Sequence, residues 1–196
     1  EETVRQDYTP KEETTALLKQ YWGDNAEFRN ILVYENPELN SNIVPVSQGL
    51  IVETIIDEYK NGCNGILPRD VFITAPTGAG KSLIFQLPAF YAANNGDVTI
   101  VVSPLKALMT DQVEILHNQR HYDKVEFLNS DLTLIDRDKI IESCKKGDID
   151  ILYLSPELLL SYDIHYFLGE RKLGLLIVDE AHLITTWGRD FRVDYL

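Results

Sequence analysis

Ala75-Pro76-Thr77-Gly78-Ala79-Gly80-Lys81-Ser82 places two glycines, a lysine and a hydroxyl within one short stretch. That combination suits a chain of phosphates. Gly78 and Gly80 allow backbone torsions and a close approach that a side chain would block. The amide N–H groups of Thr77, Gly78, Ala79 and Gly80 can then cradle phosphate oxygens. Lys81 would reach the β- and γ-phosphates of ATP, and the Ser82 hydroxyl would ligate Mg²⁺. A second grouping, Leu175-Leu176-Ile177-Val178-Asp179-Glu180-Ala181-His182, ends an apolar run in paired carboxylates. Asp179 would hold the Mg²⁺ hydration shell, while Glu180 would orient and polarise an attacking water. Taken singly, the first stretch also suits a glycine-rich turn with an exposed lysine, and the second suits two acids solvated at a strand end. Their occurrence in this order argues for nucleotide chemistry.

Such residues need a scaffold. The apolar run Val71-Phe72-Ile73 enters the glycine-rich stretch and Leu83-Ile84-Phe85-Gln86-Leu87 leaves it, the pattern of strand, turn and helix. From residue 69 onward the rhythm is regular, with strands expected at 71–75, 98–103, 125–129, 149–155 and 173–179. Helices are expected between them at 82–93, 106–117, 134–145 and 156–168. The strands are near-continuous apolar runs, as in parallel strands covered on both faces, so the fold class is α/β. Ligands on such sheets bind at the carboxyl ends of strands. The glycine-rich stretch, Ser103, Ser155 and Asp179 all fall at such ends, which makes that edge the expected working face. Pro88 lies inside an expected helix, where a kink or early end would account for it.

The region before residue 47 has a different character. Thr9 as N-cap, Pro10 at N1 and Glu12 suggest a helix start, with the helix running to Tyr21-Trp22 and stopping at Gly23. Residues 30–45 lose any period and collect Asn, Pro, Glu and Ser, which suggests an irregular connection. A helix is expected over 47–60, closed by Asn61-Gly62-Cys63-Asn64-Gly65. The expected division is an acidic N-terminal helical and irregular extension over 1–46 and an ATP-binding domain over 47–196.

The 196 residues, 44% of them hydrophobic, suffice for a well-buried domain. No apolar run approaches the roughly 20 residues of a transmembrane helix, and Glu1-Glu2-Thr3-Val4-Arg5 does not open a signal peptide. Cys63 and Cys144 are isolated and lack metal-ligand spacing. These features favour a cytoplasmic protein, in the nucleoid, or in the nucleus if the source is eukaryotic. His117 and His121 sit at the end of a polar helix with no further ligand and are expected to be solvated. The net charge of −13 opposes a broad nucleic-acid-binding face. Contact with DNA would have to be local.

Five blocks in order resemble the RecQ family of superfamily 2 DNA helicases, over about residues 67–196. Ala75–Ala89 resembles its extended motif I and Ser103–Val113 its motif Ia. Leu128-Asn129-Ser130 and Ile151–Glu157 resemble two further blocks. The Asp179-Glu180-Ala181-His182 tetrad, with the following Leu183–Arg192, resembles motif II and its aromatic-rich loop. The resemblance implies the first RecA-like motor lobe of a DNA-stimulated ATPase, using ATP and Mg²⁺ to move on single-stranded or partly duplex DNA. It also implies that Trp187, Phe191 and Arg192 sense DNA, with His182 linking them to the ATP site. Aromatic faces for stacking and an arginine for phosphate suit that role, although Trp187 and Phe191 would also suit a core. Ser103, Lys106 and Ser155 would face DNA phosphates, where the serines can equally act as helix caps.

The chain also departs from the pattern. Tyr21-Trp22-Gly23 and Phe28-Arg29 resemble the family's start, yet Gln48 arrives late, so 30–45 reads as an insertion. Gln48 is the candidate to read adenine, since its amide both donates and accepts, with Arg29 and Trp22 as weaker candidates beside the base. Leu183, Thr186, Arg189 and Val193 replace residues common in the family. The sequence ends soon after motif II. A second RecA-like lobe is therefore expected as partner within a longer chain, and this part alone should bind nucleotide weakly and turn over little. Two alternatives stand: a DNA-stimulated translocase that does not separate strands, and a nucleotide-gated module whose acidic N-terminal region docks a protein partner.

Overall fold

The computed structural model describes residues 8–35, 42–75 and 80–180. They divide into two units, Glu1–Tyr91 and Ala92–Leu196.

In the first unit, α1 (Glu12–Trp22) begins two residues after Pro10. Lys11 occupies the N-cap and offers no side-chain cap. The expected capping box is thus absent, and the Lys11 N–H is satisfied by the Glu53 carboxylate instead. Tyr8 donates its hydroxyl to the same carboxylate. A buried acid thereby replaces the local cap, because it meets two donors where Thr9 would have met one. The helix stops at Gly23, at φ +96°, as expected.

The described ends of 30–45 are strands, where an irregular connection was expected. β1 (Asn30–Tyr34) and β2 (Ile43–Ser47) pair antiparallel, with Leu32 opposite Pro45. β-Branched and aromatic residues on both sides outweigh the Asn- and Pro-rich middle. α2 (Gln48–Cys63) follows and buries Ile51, Val52, Ile56 and Tyr59. Gly49 lies so close to the N-terminal segment that a Cβ there would meet Pro10 Cγ at 2.5 Å. Most of α3 (Lys81–Asn94) belongs to this unit. Pro88 is inside it and neither ends nor divides it. Tyr21 stacks on Phe90 with ring centroids 4.0 Å apart, and Trp22 meets the same ring at 6.0 Å.

The expected strand at 71–75 does not form. Tyr34 N–H reaches Thr74 O at 2.9 Å, but Phe72 remains 87% exposed. An apolar run becomes a strand only where a neighbour completes its ladder, and none does so among the described residues.

The second unit holds a parallel sheet. β3 (Val98–Val102) lies between β5 (Ile151–Leu154) and β6 (Leu173–Val178), and β4 (Val125–Leu128) flanks β5, giving the order β4-β5-β3-β6. All three pairings are parallel. β3 and β5 are buried along their whole length, whereas β6 is half-buried throughout. Between the strands run α4 (Lys106–Arg120), α5 (Leu134–Lys146), α6 (Pro156–Ser161) and α7 (Ile164–Leu168). The single helix expected over 156–168 is two, because Asp163 caps a new start by accepting the His165 N–H.

Ile100, Leu152, Leu154 and Leu128 pack with Ile141, Cys144, Phe167 and Leu168 from the helices. Each such aliphatic side chain contributes about 1.5–3 kcal/mol of burial. Burial pushes the Cys144 thiol up to about 11, so it stays a protonated core group. His117 is not simply solvated. It is half-buried, and its Nε2 lies 3.0 Å from Val125 O, while His121 ends α4 at φ +53°. At the amino end of the sheet, Arg171 bridges Asp150 at 2.5 Å and donates to carbonyls of Cys144, Ile149 and Gly96.

Candidate functional site

In the first unit the glycine-rich stretch ends at Gly80, whose φ of +77° is open to glycine at little cost. A Cβ at this position would also come within 3.3 Å of Gln48 Nε2. Lys81 and Ser82 follow as the first two residues of α3, half-buried, in a turn whose N–H groups have no earlier helical partner. A helix start of this kind favours anions. Thr77, Gly78 and Ala79 lie outside the described residues.

Gln48 opens α2 and is only 6% exposed. Its Oε1 accepts from Arg29 N–H at 2.9 Å, and its Nε2 donates to Gly80 O at 3.2 Å. The structure therefore brings Gln48 to the end of the glycine-rich stretch with both ends of its amide on main chain. The Arg29 side chain is exposed, and Trp22 is packed against Phe90.

In the second unit the carboxyl ends of the strands form a ladder. Asp179 N–H donates to Val102 O at 2.9 Å, Ser103 N–H to Leu154 O at 3.1 Å, and Ser155 N–H to Leu128 O at 3.1 Å. Each residue just past a strand is thus held by the last residue of the neighbouring strand. Ser103 and Ser155 are 1% and 2% exposed, and neither hydroxyl has a hydrogen-bond partner. Buried hydroxyls are ordinarily paired, so two orphans side by side suit a site that receives a ligand or water.

Glu180 lies just past β6 at φ +51°, a sparsely populated region for a non-glycine residue. Its N–H donates to Asp179 Oδ1 at 2.9 Å. That bond orients the Asp179 carboxylate. A carboxylate oxygen such as that of Asp179 is the hard donor that Mg²⁺ prefers, and the half-buried Asp179 is in reach of solvent.

Lys106 begins α4 and pairs with Asp131 at 2.6 Å. Sequence reasoning named Asn129 only as part of a family-like block and overlooked Asp131; Asn129 is 4% exposed and accepts the Asp131 N–H at 2.9 Å. The Asn129-Ser130-Asp131 spacing of an Asx turn was the available signal. His182, Trp187, Phe191 and Arg192 lie outside the described residues.

Comparison with known proteins gives the family. The DEAD/DEAH box helicase family matches residues 51–196. The chain is 42% identical to rat ATP-dependent DNA helicase Q5 over 65% of its own length and 13% of that protein. It is 40% identical to Saccharomyces cerevisiae ATP-dependent helicase SGS1, over 65% of this chain and 9% of the relative. It is 35% identical to Haemophilus influenzae ATP-dependent DNA helicase RecQ, over 73% of this chain and 21% of the relative. The chain thus spans a minor part of each of these relatives. With a parallel sheet, a glycine-rich helix start and carboxylates at a strand end, this chain belongs to the DEAD/DEAH box helicase family and is a RecQ-like member of it.

Proposed function

We propose that the chain is the ATP-binding first motor lobe of a RecQ-like DNA helicase, coupling ATP hydrolysis to movement on single-stranded DNA and to strand separation. The observation that carries this reading is the ladder at the sheet's carboxyl edge, where Asp179 and the orphaned hydroxyls of Ser103 and Ser155 follow three adjacent strands. The amides of Thr77–Gly80 and the Lys81 ammonium hold the triphosphate. Ser82 and Asp179 would hold Mg²⁺, which when bound screens phosphate charge. Glu180 orients the attacking water and accepts its proton. Ser103, Lys106 and Ser155 take DNA phosphates, and Trp187, Phe191 and Arg192 report DNA occupancy through His182. Gln48 braces the phosphate-binding stretch, and reading adenine would require its bond to Gly80 to open. A second RecA-like lobe completes the transition-state charge stabilisation that such hydrolysis needs.

This assignment keeps 1–46 as an extension, available to a protein partner, and 47–196 as the motor lobe, a division supported by the family match beginning at residue 51. It also places the protein with DNA, in a nucleoid or nucleus. No helix among the described residues is long and apolar enough to cross a membrane. The test is a DNA-stimulated ATPase assay beside a strand-displacement assay on the full-length protein. Glu180→Gln should lower hydrolysis by about 10²–10⁴-fold with nucleotide affinity nearly kept. Trp187→Ala should keep nucleotide affinity and lose stimulation by DNA. Stimulation without displacement would assign translocation alone, and biological activity that survives Glu180→Gln would assign a nucleotide-gated interaction module.

A further inference from the structure

The lysine that stands nearest the orphaned serine hydroxyls in sequence is already paired with an acid of its own chain. Lys106 Nζ lies 2.6 Å from Asp131 Oδ1, with the two side chains 42% and 68% exposed. We propose that Asp131 is an internal competitor for phosphate: its carboxylate occupies Lys106 in the absence of nucleic acid and must yield that ammonium before a DNA phosphate takes it. The inference rests on the reading that DNA follows the sheet's carboxyl edge, and it adds a residue that sets how tightly DNA is held there.

Three features make the pairing a built one. Asn129, buried at the end of β4, fixes the turn by accepting the Asp131 N–H. Arg137 from α5 donates to Ser130 O at 2.9 Å, clamping the next residue of the same turn. Thr133 then caps α5 by accepting the Asp136 N–H at 3.2 Å, which ends the loop at a defined place. The turn is held through its main chain and through Asn129. The Asp131 side chain is left to face Lys106.

Lys106 is fixed in turn by its place at the start of α4, three residues after Ser103. Ser103 and Ser155 have hydroxyls buried and without a hydrogen-bond partner. The cation nearest these serines in sequence is thus occupied by Asp131. Both partners of the ion pair are partly in water, so exchanging a carboxylate for a phosphate requires little desolvation. The acid also compounds the effect of the chain's net charge of −13. DNA meets repulsion at long range and an occupied lysine at short range, which favours release as much as capture.

The experiment measures binding of a fluorescent oligothymidine to the full-length protein by anisotropy, across a salt series. Asp131→Asn should tighten binding by about two- to five-fold at low salt, the range that an exposed ion pair permits. The gain should shrink as salt rises and screens the pair. Because Asn129 holds the Asp131 N–H, the substitution leaves the turn intact, and Asp131→Ser should behave alike. Asp148→Asn, the same charge change at another exposed position of this unit, should give no gain. In the Lys106→Ala background, Asp131→Asn should add nothing. Equal affinity in Asp131→Asn and parent, or an equal gain from Asp148→Asn, overturns the proposal while leaving the DNA reading intact. If neither Lys106→Ala nor Ser103→Ala weakens binding, the DNA reading of this edge fails, and the proposal with it.

Discussion

Gln48 donates from Nε2 to the carbonyl of Gly80 at 3.2 Å, tying the first residue of α2 to the last glycine of the phosphate-binding stretch. The other end of the amide accepts from Arg29 N–H at 2.9 Å. A single buried side chain thus spans two backbone segments far apart in sequence. Removing it leaves a backbone donor and a backbone acceptor without this partner.

Gln48→Ala should therefore weaken ATP and GTP binding to a similar degree, by about 2- to 10-fold, the range of one lost hydrogen bond. A residue that reads the base would instead erase discrimination between the two nucleotides and leave inorganic tripolyphosphate untouched. Equilibrium titration with all three ligands separates bracing from base reading. Loss confined to ATP would overturn the bracing role.

Arg171→Ala should destabilise the second unit by about 2–4 kcal/mol, because it removes the closest cation from the buried Asp150 carboxylate, leaving Tyr122 and Lys124 at 3.4 and 3.5 Å, and takes a donor from the carbonyls of Cys144, Ile149 and Gly96. Asp150→Asn should cost less, since Arg171 keeps its carbonyl partners. Urea unfolding of the two variants beside the parent measures both effects, and an unmoved midpoint for Arg171→Ala would contradict the assignment.

Gly49→Ala tests the close approach at the other unit. Its Cβ would lie 2.5 Å from Pro10 Cγ and 3.4 Å from Phe28 Cδ2. Overpacking of this kind costs about 1–3 kcal/mol. Adding Pro10→Ala removes the nearest atom and should restore part of the loss in thermal unfolding. No restoration would place the strain elsewhere.

Acid stability should report Glu58. The Arg69 backbone N–H, then the Arg69 guanidinium, then the Asn61 amide hold its carboxyl below the ordinary value of 4.5. The folded state therefore binds this proton less readily than the unfolded chain. Its stabilisation is complete above pH 4.5 and is lost as pH falls through the lowered folded value. Glu58→Gln, which removes the titrating group itself, should flatten that acid limb of the melting curve relative to parent. A parallel limb in both proteins would show that this carboxylate is not responsible.

The parallel sheet and its helices were legible from residue order because both obey local rules. Val98–Val102 and Ile151–Leu154 are unbroken apolar strands, and Leu134–Lys146 is a helix that Thr133 caps. The capping box at Thr9 and the strand at 71–75 failed for the opposite reason. Each depends on a partner distant in the chain: Glu53 takes the Lys11 N–H, and no neighbouring strand completes the 71–75 ladder among the described residues. The β1–β2 pair was hidden as well, since pairing across a polar connection leaves little trace in composition.

By itself, the sequence determined the chemistry on offer: a lysine and hydroxyl after glycines, two carboxylates after an apolar strand, and serines at further strand ends. Residue type and spacing suffice for that, because each motif is contiguous. Only the tertiary structure decided which groups are already engaged. It set Gln48 between Arg29 and Gly80, paired Lys106 with Asp131, and left the Ser103 and Ser155 hydroxyls without hydrogen-bond partners. Hydrogen bonds and ion pairs act over a few ångströms of space, and sequence separation carries no measure of that distance.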